Sequence, residues 1–270
     1  MTTNETIWES RPTALITGGS RGIGFELAKQ FAQHGHDLIL ASRNQSELQR
    51  AADKLHKDFD CTVTAVSLDL TASDAPETLF SQLQAQAIQV DVLVNNAGLG
   101  DYGLFVDSQL DRQLDLLRLN ILSLTTLTHL FLKGMIERGN GRVLNVASVV
   151  AYFSGGPRWT SYLASKHYVL AFTRGLAKEL AGTGVSATVL CPGPTATEFI
   201  SDAGVGATRV YRWLPKLSPS GVARAGYHAT MAGRTTVIPG LINKVLAFLG
   251  ELPPRVIAQS VFGFLSRGSA

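Results

Sequence analysis

The sequence predicts one α/β domain, a doubly wound parallel sheet in three layers with helices on both faces. Three observations lead there. From residue 13 onward, short aliphatic runs alternate with longer segments of helical periodicity. The strand-like runs are continuously apolar, as in strands covered on both faces, rather than alternating apolar and polar. A length of 270 residues suits one large α/β domain better than two small ones.

The elements follow in order. Ala14-Leu15-Ile16 is the first strand and runs into Thr17 and two glycines. The helix after it carries Ile23, Leu27, Ala28 and Phe31 on one face, and Gly35 ends it. Leu38 to Ala41 is the second strand. Asn44, with Glu47 three residues on, forms a capping pair for a helix that runs to about His56. Val63 to Leu68 is the third strand, followed by a helix from Thr78 to about Gln86. Val92-Leu93-Val94 is the fourth strand. A long leucine-rich helix occupies residues 108–136, and Val143 to Val146 is the fifth strand. A second long helix spans about Ser161 to Leu180, and Val185 to Cys191 is the sixth strand. Residues 193–220 carry Pro, Gly, Thr and Ser, with Phe199, Tyr211, Trp213 and Leu214 among them. A connection of that length inside a compact domain reads as a functional lid or as short helices. A helix over 221–232 and a strand at Thr236-Val237-Ile238 complete the core. The chain thus divides into a polar extension (1–11), the main domain (12–240) and an apolar tail (241–270) interrupted at Pro253-Pro254. Three roles suit the tail: covering the active site first, then extending a dimer contact, then lying on a membrane surface.

Composition narrows the function. Apolar residues make up 45% and charged residues 17%, enough for a substantial core. A net charge of only +3, with no basic run, argues against nucleic acid. The N-terminus lacks the apolar core of a secretory signal, and no stretch approaches the ~18 uninterrupted apolar residues of a membrane span, so the expected compartment is the cytoplasm. Cys61 and Cys191 sit in apolar runs and read as buried small hydrophobes. No Cys, His and carboxylate cluster has metal spacing, so no metal is expected, and His129 reads as a packed helix residue.

The turn after the first strand, Thr17-Gly18-Gly19-Ser20-Arg21-Gly22-Ile23-Gly24, opens a helix. Its glycines let the backbone approach a pyrophosphate, and the helix start offers free N–H groups. This makes the sheet Rossmann-type. The spacing of Gly18, Gly22 and Gly24 differs from the general G-x-G-x-x-G. The second strand ends Ala41-Ser42-Arg43 with no carboxylate to hold a ribose 2′-hydroxyl. Arg43 and Arg21 are placed to clamp a 2′-phosphate, so the cofactor reads as NADP(H) rather than NAD(H).

The glycine turn, Asn95-Asn96-Ala97-Gly98 after the fourth strand, and Tyr162-Leu163-Ala164-Ser165-Lys166 together resemble the single-domain branch of the short-chain dehydrogenase/reductase family, over roughly residues 12–200. The resemblance implies that Thr17, Gly18, Ser20, Arg21, Gly22, Ile23 and Gly24 form the cofactor turn and that Asp69 and Leu70 contact adenine. It places Asn95, Ala97 and Gly98 at the strand end that lines the adenosine ribose and supports the sheet. Asn120, Ser148, Tyr162 and Lys166 match the catalytic tetrad. Pro192, Gly193 and Thr197 match the segment over the nicotinamide. Ser148 and Tyr162 are fourteen positions apart, one more than is usual, and a loop insertion between Tyr152 and Trp159 absorbs the extra residue.

The residues supply a chemistry to match. Tyr162 and Lys166, four apart on a helix, share a face. An ammonium beside a phenol favours the phenolate, so Tyr162 can give a proton to a carbonyl oxygen or take one from an alcohol. Ser148, after the fifth strand, is expected to point into the crevice and hold the substrate oxygen. By resemblance Lys166 also hydrogen-bonds the nicotinamide ribose, and Asn120 bends its helix and holds a water. A lone Tyr-x-x-x-Lys pair is ordinarily a surface pair; its co-occurrence with a dinucleotide turn reverses that reading. The expected pocket walls, Leu99 to Leu104, Phe153 to Trp159 and Phe199 to Leu214, are rich in apolar residues. They suit a fatty-acyl, steroid-like or aromatic ketone or secondary alcohol. The helices at 108–136 and 161–180 are candidate pairing surfaces for a homodimer or homotetramer. A non-catalytic NADP-binding redox sensor, and an isomerase or dehydratase using the same tyrosine, are the rival classes.

Overall fold

The computed structural model describes residues 11–206, 208–252 and 264; the extension before residue 11 and most of the tail beyond residue 252 lie outside the described residues. Seven parallel strands form one sheet in the order β3-β2-β1-β4-β5-β6-β7. They are β1 (Thr13–Thr17), β2 (Asp37–Ser42), β3 (Val63–Ser67), β4 (Val92–Asn95), β5 (Gly141–Val146), β6 (Val185–Leu190) and β7 (Thr236–Val237). The order reverses between β1 and β4, which opens a crevice at the carboxyl ends of these strands.

Side-chain alternation along β1 divides the core. Ala14 and Ile16 face one layer, where Leu27 and Phe31 of α1 (Gly22–Gln33), Leu48 and Leu55 of α2 (Gln45–Asp58) and Val222 and Tyr227 of α9 (Pro219–Met231) pack. Leu15 faces the other. There Leu79 of α3 (Ala75–Ala85), Leu127 and Met135 of α5 (Leu124–Glu137) and Leu176 of α6 (Thr160–Glu179) pack. Asn44 caps α2 as expected, its side chain accepting from the Glu47 N–H at 3.1 Å. Cys61 and Cys191 are both buried free thiols.

Two elements and one residue differ from the sequence reading. The helix over 108–136 is not one helix: α4 (Leu110–Leu117) and α5 are joined by a π-helical segment, Arg118–Ser123. This combined helix is long and apolar enough to cross a membrane by length and composition alone, but Leu116, Leu124, Leu127, Phe131 and Met135 are buried in the core. His129 is exposed on α5 rather than packed, because it falls on the face opposite Leu127 and Phe131. Helix α3 begins earlier than Thr78, with Pro76 in its first turn, where a missing N–H costs nothing. The 193–220 connection holds two of the short helices expected there, α7 (Phe199–Asp202) and α8 (Arg209–Trp213). The described part of the tail is α10 (Leu241–Glu251), whose buried face carries Asn243, Ala247 and Gly250.

Candidate active site

A cavity of about 590 Å³ runs along the carboxyl ends of the strands. One end is built by the turn between β1 and α1. Gly18 and Gly22 have φ of +65° and +57°, the left-handed region that glycine adopts without strain. Gly24 is held closer still, since a Cβ there would collide with the Gly18 carbonyl. The start of α1 has no side-chain cap and no acidic residue in its first turn, so its N–H groups are left for an anion. These features fit a dinucleotide diphosphate. The Ser20 and Ser42 hydroxyls are 3.1 Å apart at the end of β2, beside Arg21 and Arg43 on the cavity wall. Arg43 lies 3.9 Å from Asp69, and Arg21 pairs at 2.5 Å with Asp202 of the lid. Asp69 also accepts from the N–H and hydroxyl of Thr71, which fixes the turn after β3.

The other end holds the proton-transfer groups. Tyr162, Ser148 and Lys166 line the same cavity. Helix α6 presents Tyr162 and Lys166 one turn apart, with the Lys166 Nζ 5.8 Å from the Tyr162 ring centre. The Lys166 ammonium donates to the Val146 carbonyl at 2.9 Å, which ties α6 to the end of β5. Ser148 begins a short 3-10 turn, and its hydroxyl accepts from the Val150 N–H at 3.3 Å. The segment between this turn and α6 is a loop in which Arg158 has a φ of +69°. Burial pushes the Tyr162 phenol well above the ordinary tyrosine range; Tyr211 adds to the rise and a hydrogen bond with Ser148 opposes it. Burial lowers the Lys166 ammonium to about 8. In the protein alone, burial thus favours the neutral phenol over the phenolate, contrary to the sequence expectation.

Asn120 is buried in the π-helical segment and does not line the cavity. Its side chain is fully engaged: Oδ1 accepts from the Leu99 N–H at 2.9 Å, and Nδ2 donates to the Leu99 carbonyl and the Ser165 hydroxyl. It locks the loop after β4 to α6. Gly98 completes the arrangement, because a Cβ there would sit 3.2 Å from Asn120 Oδ1 and 3.3 Å from Lys166 Nζ.

Of the expected cofactor residues, Gly18, Ser20, Arg21, Gly22, Ile23, Gly24, Arg43, Asp69, Leu70, Ala97, Gly98, Pro192, Gly193 and Thr197 face the cavity. Thr17 and Asn95 do not. The Thr17 hydroxyl donates to the Val94 carbonyl and accepts from the N–H groups of Asn96 and Ala97. Asn95 points away from the cavity, donating to Thr128 of α5 and to Asn145 of β5. Asn96 lines the cavity instead, and its amide holds the Thr17 and Gly18 carbonyls. The two asparagines are adjacent, and strand alternation is the signal that distinguishes them.

The pocket walls are only partly those read from the sequence. Leu99, Phe199 and Tyr211 line the cavity, whereas no residue of Phe153 to Trp159 does. Trp159 instead stacks behind Tyr162 at 5.3 Å, with Tyr102 beyond it. Phe199 lies 5.6 Å from the Tyr162 ring and packs so tightly on Gly100 that a Cβ there would meet it at 2.5 Å. The sequence reading missed Arg112, which joins three segments. It pairs with Asp101 at 2.8 Å and donates to the carbonyls of Gly100 and Asp202.

Comparison with known proteins identifies the family and the fold. The family model for short chain dehydrogenases matches residues 12–204. A ketoacyl reductase, HetN, of a Nostoc species is 32% identical over 254 residues, covering 90% of this chain and 85% of the relative. The 3-oxoacyl-[acyl-carrier-protein] reductase FabG of Haemophilus influenzae is 31% identical, over 69% of this chain and 75% of its own. A short-chain dehydrogenase from Sphingobium yanoikuyae, solved in complex with NADPH, superposes with a TM-score of 0.78 at 30% identity, covering 85% of this chain and 88% of that one.

Proposed function

The chain belongs to the short-chain dehydrogenase/reductase family, and from that premise we propose that it is an NADP(H)-dependent oxidoreductase acting on a largely apolar ketone or secondary alcohol. The observation that carries this reading is the meeting of Tyr162, Ser148 and Lys166 on one cavity with the glycine turn at its far end. When bound, the cofactor supplies or accepts the hydride. The chain supplies the rest. Ser148 donates to the substrate oxygen and holds it as charge develops. Tyr162, whose burial favours the neutral phenol, gives its proton to that oxygen in reduction; in oxidation it first passes its proton to the neutral Lys166 amine, and the resulting phenolate takes the proton of the alcohol. Lys166 holds the ribose hydroxyls and returns a proton to the phenol. Asn120 acts through Leu99 and α6, as a positioning residue.

Selection of NADP(H) rests on Arg43 and Arg21 beside Ser20 and Ser42, with no carboxylate at the end of β2. The NADPH complex of the Sphingobium relative supports the same choice. Asp69 and Leu70 are assigned to adenine, Pro192, Gly193 and Thr197 to the nicotinamide side, and Thr17 and Asn95 to the scaffold behind the turn. The apolar substrate rests on Leu99, Phe199 and Tyr211 around the phenol, and the ketoacyl reductase relatives favour a 3-oxoacyl or similar ketone. Leu110, Leu114 and Leu122, exposed on the long helix, support a homodimer or homotetramer, which light scattering on the eluting protein tests. The function is tested by following reduced-cofactor absorbance with NADPH or NADH across apolar and charged carbonyl compounds. Oxidation with NADPH and apolar ketones is expected. Turnover confined to highly charged substrates, or no turnover with any carbonyl, overturns the reading.

A further inference from the structure

Helix α10 is fixed to the body of the protein by its inner face. Asn243 donates to the Pro239 carbonyl at 2.7 Å, Gly250 packs on the Tyr152 backbone, and Glu251 pairs with Arg174 at 2.8 Å. Its outer face is apolar and, among the described residues, uncovered. Leu241 and Phe248 are 77% and 64% exposed, and Ile242, Val245, Leu249 and Leu252 stand exposed with them. This is far more apolar side chain than one surface helix of a water-facing protein displays. The lid adjoins it: Leu217 lies against Gly240, and Leu246 shares an apolar cluster with Tyr211. On the lid, Trp213 is 60% exposed and carries Phe264 against it, with the Arg209 guanidinium over the Phe264 ring at 4.2 Å.

Charge identifies the occupant. From residue 203 to residue 250 there is no Asp or Glu, while six Arg and Lys residues fall there. The rest of the chain holds 18 basic against 21 acidic residues. Arg212 and Lys216 are exposed on the lid and Lys244 on α10 itself, and the helix's one acidic side chain, Glu251, is neutralised by Arg174. A second copy of this chain paired through the same face about a two-fold axis would set like charges against each other, with no acidic group to receive them. An apolar stripe bordered by lysine, arginine and tryptophan is instead complementary to acyl chains beneath anionic headgroups.

We infer that α10 and the adjoining lid helix α8 form a docking face for an anionic membrane surface, with the α10 side chains inserted at the headgroup boundary and Arg212, Lys216 and Lys244 against lipid phosphates. The full chain is tested by flotation with vesicles of phosphatidylcholine alone or mixed with phosphatidylglycerol. Binding is expected to the mixed vesicles, to weaken with added salt, and to be much poorer on phosphatidylcholine alone. The V245D/F248D variant is expected to lose at least about ten-fold in partitioning, since it places carboxylates in the inserted face. The K216E/K244E variant, which leaves the apolar face intact, is expected to lose roughly ten-fold or more on anionic vesicles only, at about five-fold for each favourable charge removed and more for its reversal. Thermal melts of both variants check that they fold. Failure of the wild-type chain to bind mixed vesicles overturns the inference. If V245D/F248D then splits an oligomer, the face belongs to a second copy; if it lowers the melting temperature of a monomer, it belongs to this chain's own residues 253–270. Equal binding by wild type and K216E/K244E overturns it as well.

Discussion

Replacing Tyr162 by Phe removes one oxygen and leaves the ring among its neighbours. Trp159 and Phe199 lie with ring centres at 5.3 and 5.6 Å, and both contacts survive the change. The lost hydrogen bond to Ser148 is worth about 1 kcal/mol, and the relief from burying a hydroxyl offsets part of it. Stability is therefore expected to stay within about 1 kcal/mol of wild type, a shift of roughly 2–4 °C in melting temperature for a domain of this size. Cofactor affinity is expected to change less than about three-fold, because the glycine turn and Lys166 are untouched. Turnover is another matter. On the proposed assignment no other group stands ready to give a proton to the substrate oxygen directly: Ser148 is a poor acid, and Lys166, which donates to the Val146 carbonyl at 2.9 Å with its nitrogen 5.8 Å from the Tyr162 ring centre, acts through the phenol. Loss of a positioned general acid costs about 10²–10⁴-fold, or about 3–5 kcal/mol of transition-state stabilisation. The assay is steady-state consumption of the reduced cofactor at saturating NADPH, with cofactor affinity measured separately by fluorescence. A Tyr162→Phe protein within about ten-fold of wild-type kcat/KM, with unchanged cofactor affinity, refutes the assignment.

Four further outcomes follow from the same geometry. Lys166 is buried with its ammonium lowered from 10.5 to about 8, so the unfolded chain binds a proton that the folded chain has shed between those values. Stability then rises with pH through that window, the cost is fully present below it, and Lys166→Met should stabilise the fold by about 2 kcal/mol at pH 7 while abolishing turnover; equal denaturation midpoints at pH 7 would count against this. Arg43→Ala should reduce the preference for NADPH over NADH about ten-fold, and an unchanged ratio of kcat/KM values would remove Arg43 from the cofactor site. Gly98→Ala pushes on both Asn120 and Lys166 and should lower kcat about ten-fold with little change in cofactor affinity; near-normal kcat would show that the ammonium has room to move. His36 is buried edge-on to Phe31 and Tyr227, and burial lowers its pKa below the ordinary 6.5, so the stability that its neutral form gives is present above 6.5 and lost as pH falls below it. His36→Phe should flatten that acid-side loss in thermal melts between about pH 4 and 6.5, and an unaltered acid limb would place the sensitivity elsewhere.

Most of the sheet was legible because its signal is dense. Each strand buried on both faces is a continuous apolar run, and each flanking helix repeats its apolar face over several turns, so the order of elements could be read without contacts. The glycine turn and the Tyr162–Lys166 pair were legible for the same reason, since their chemistry lies in local spacing. What was not legible depends on facing partners. The π-helical segment at Arg118–Ser123 does not disturb a leucine-rich pattern, because one extra residue in a turn shifts the apolar face without breaking it. Within it lies Asn120, whose amide bonds the Leu99 backbone 21 positions earlier and Ser165 45 positions later, partners that only the fold brings together.

The same distinction explains the cavity wall. Arg112, Asp202 and Arg21 form one chain of contacts from the loop after β4, through the lid, to the phosphate turn, yet none of the three is near another in sequence. Read along the chain, Arg21 is a phosphate clamp and Asp202 an ordinary surface acid. In the fold the carboxylate holds the guanidinium, so under the proposed assignment a 2′-phosphate competes with Asp202 for Arg21, while Arg43 lies at a loose 3.9 Å from Asp69 and is the less tightly paired of the two cations. Both pairs are about half exposed, and such pairs are worth at most about 1 kcal/mol, so neither carboxylate can hold its arginine against a doubly charged phosphate. Arg43 is thus the side chain whose removal should weigh more on cofactor choice, and Arg21 the one through which lid position and cofactor phosphate are linked.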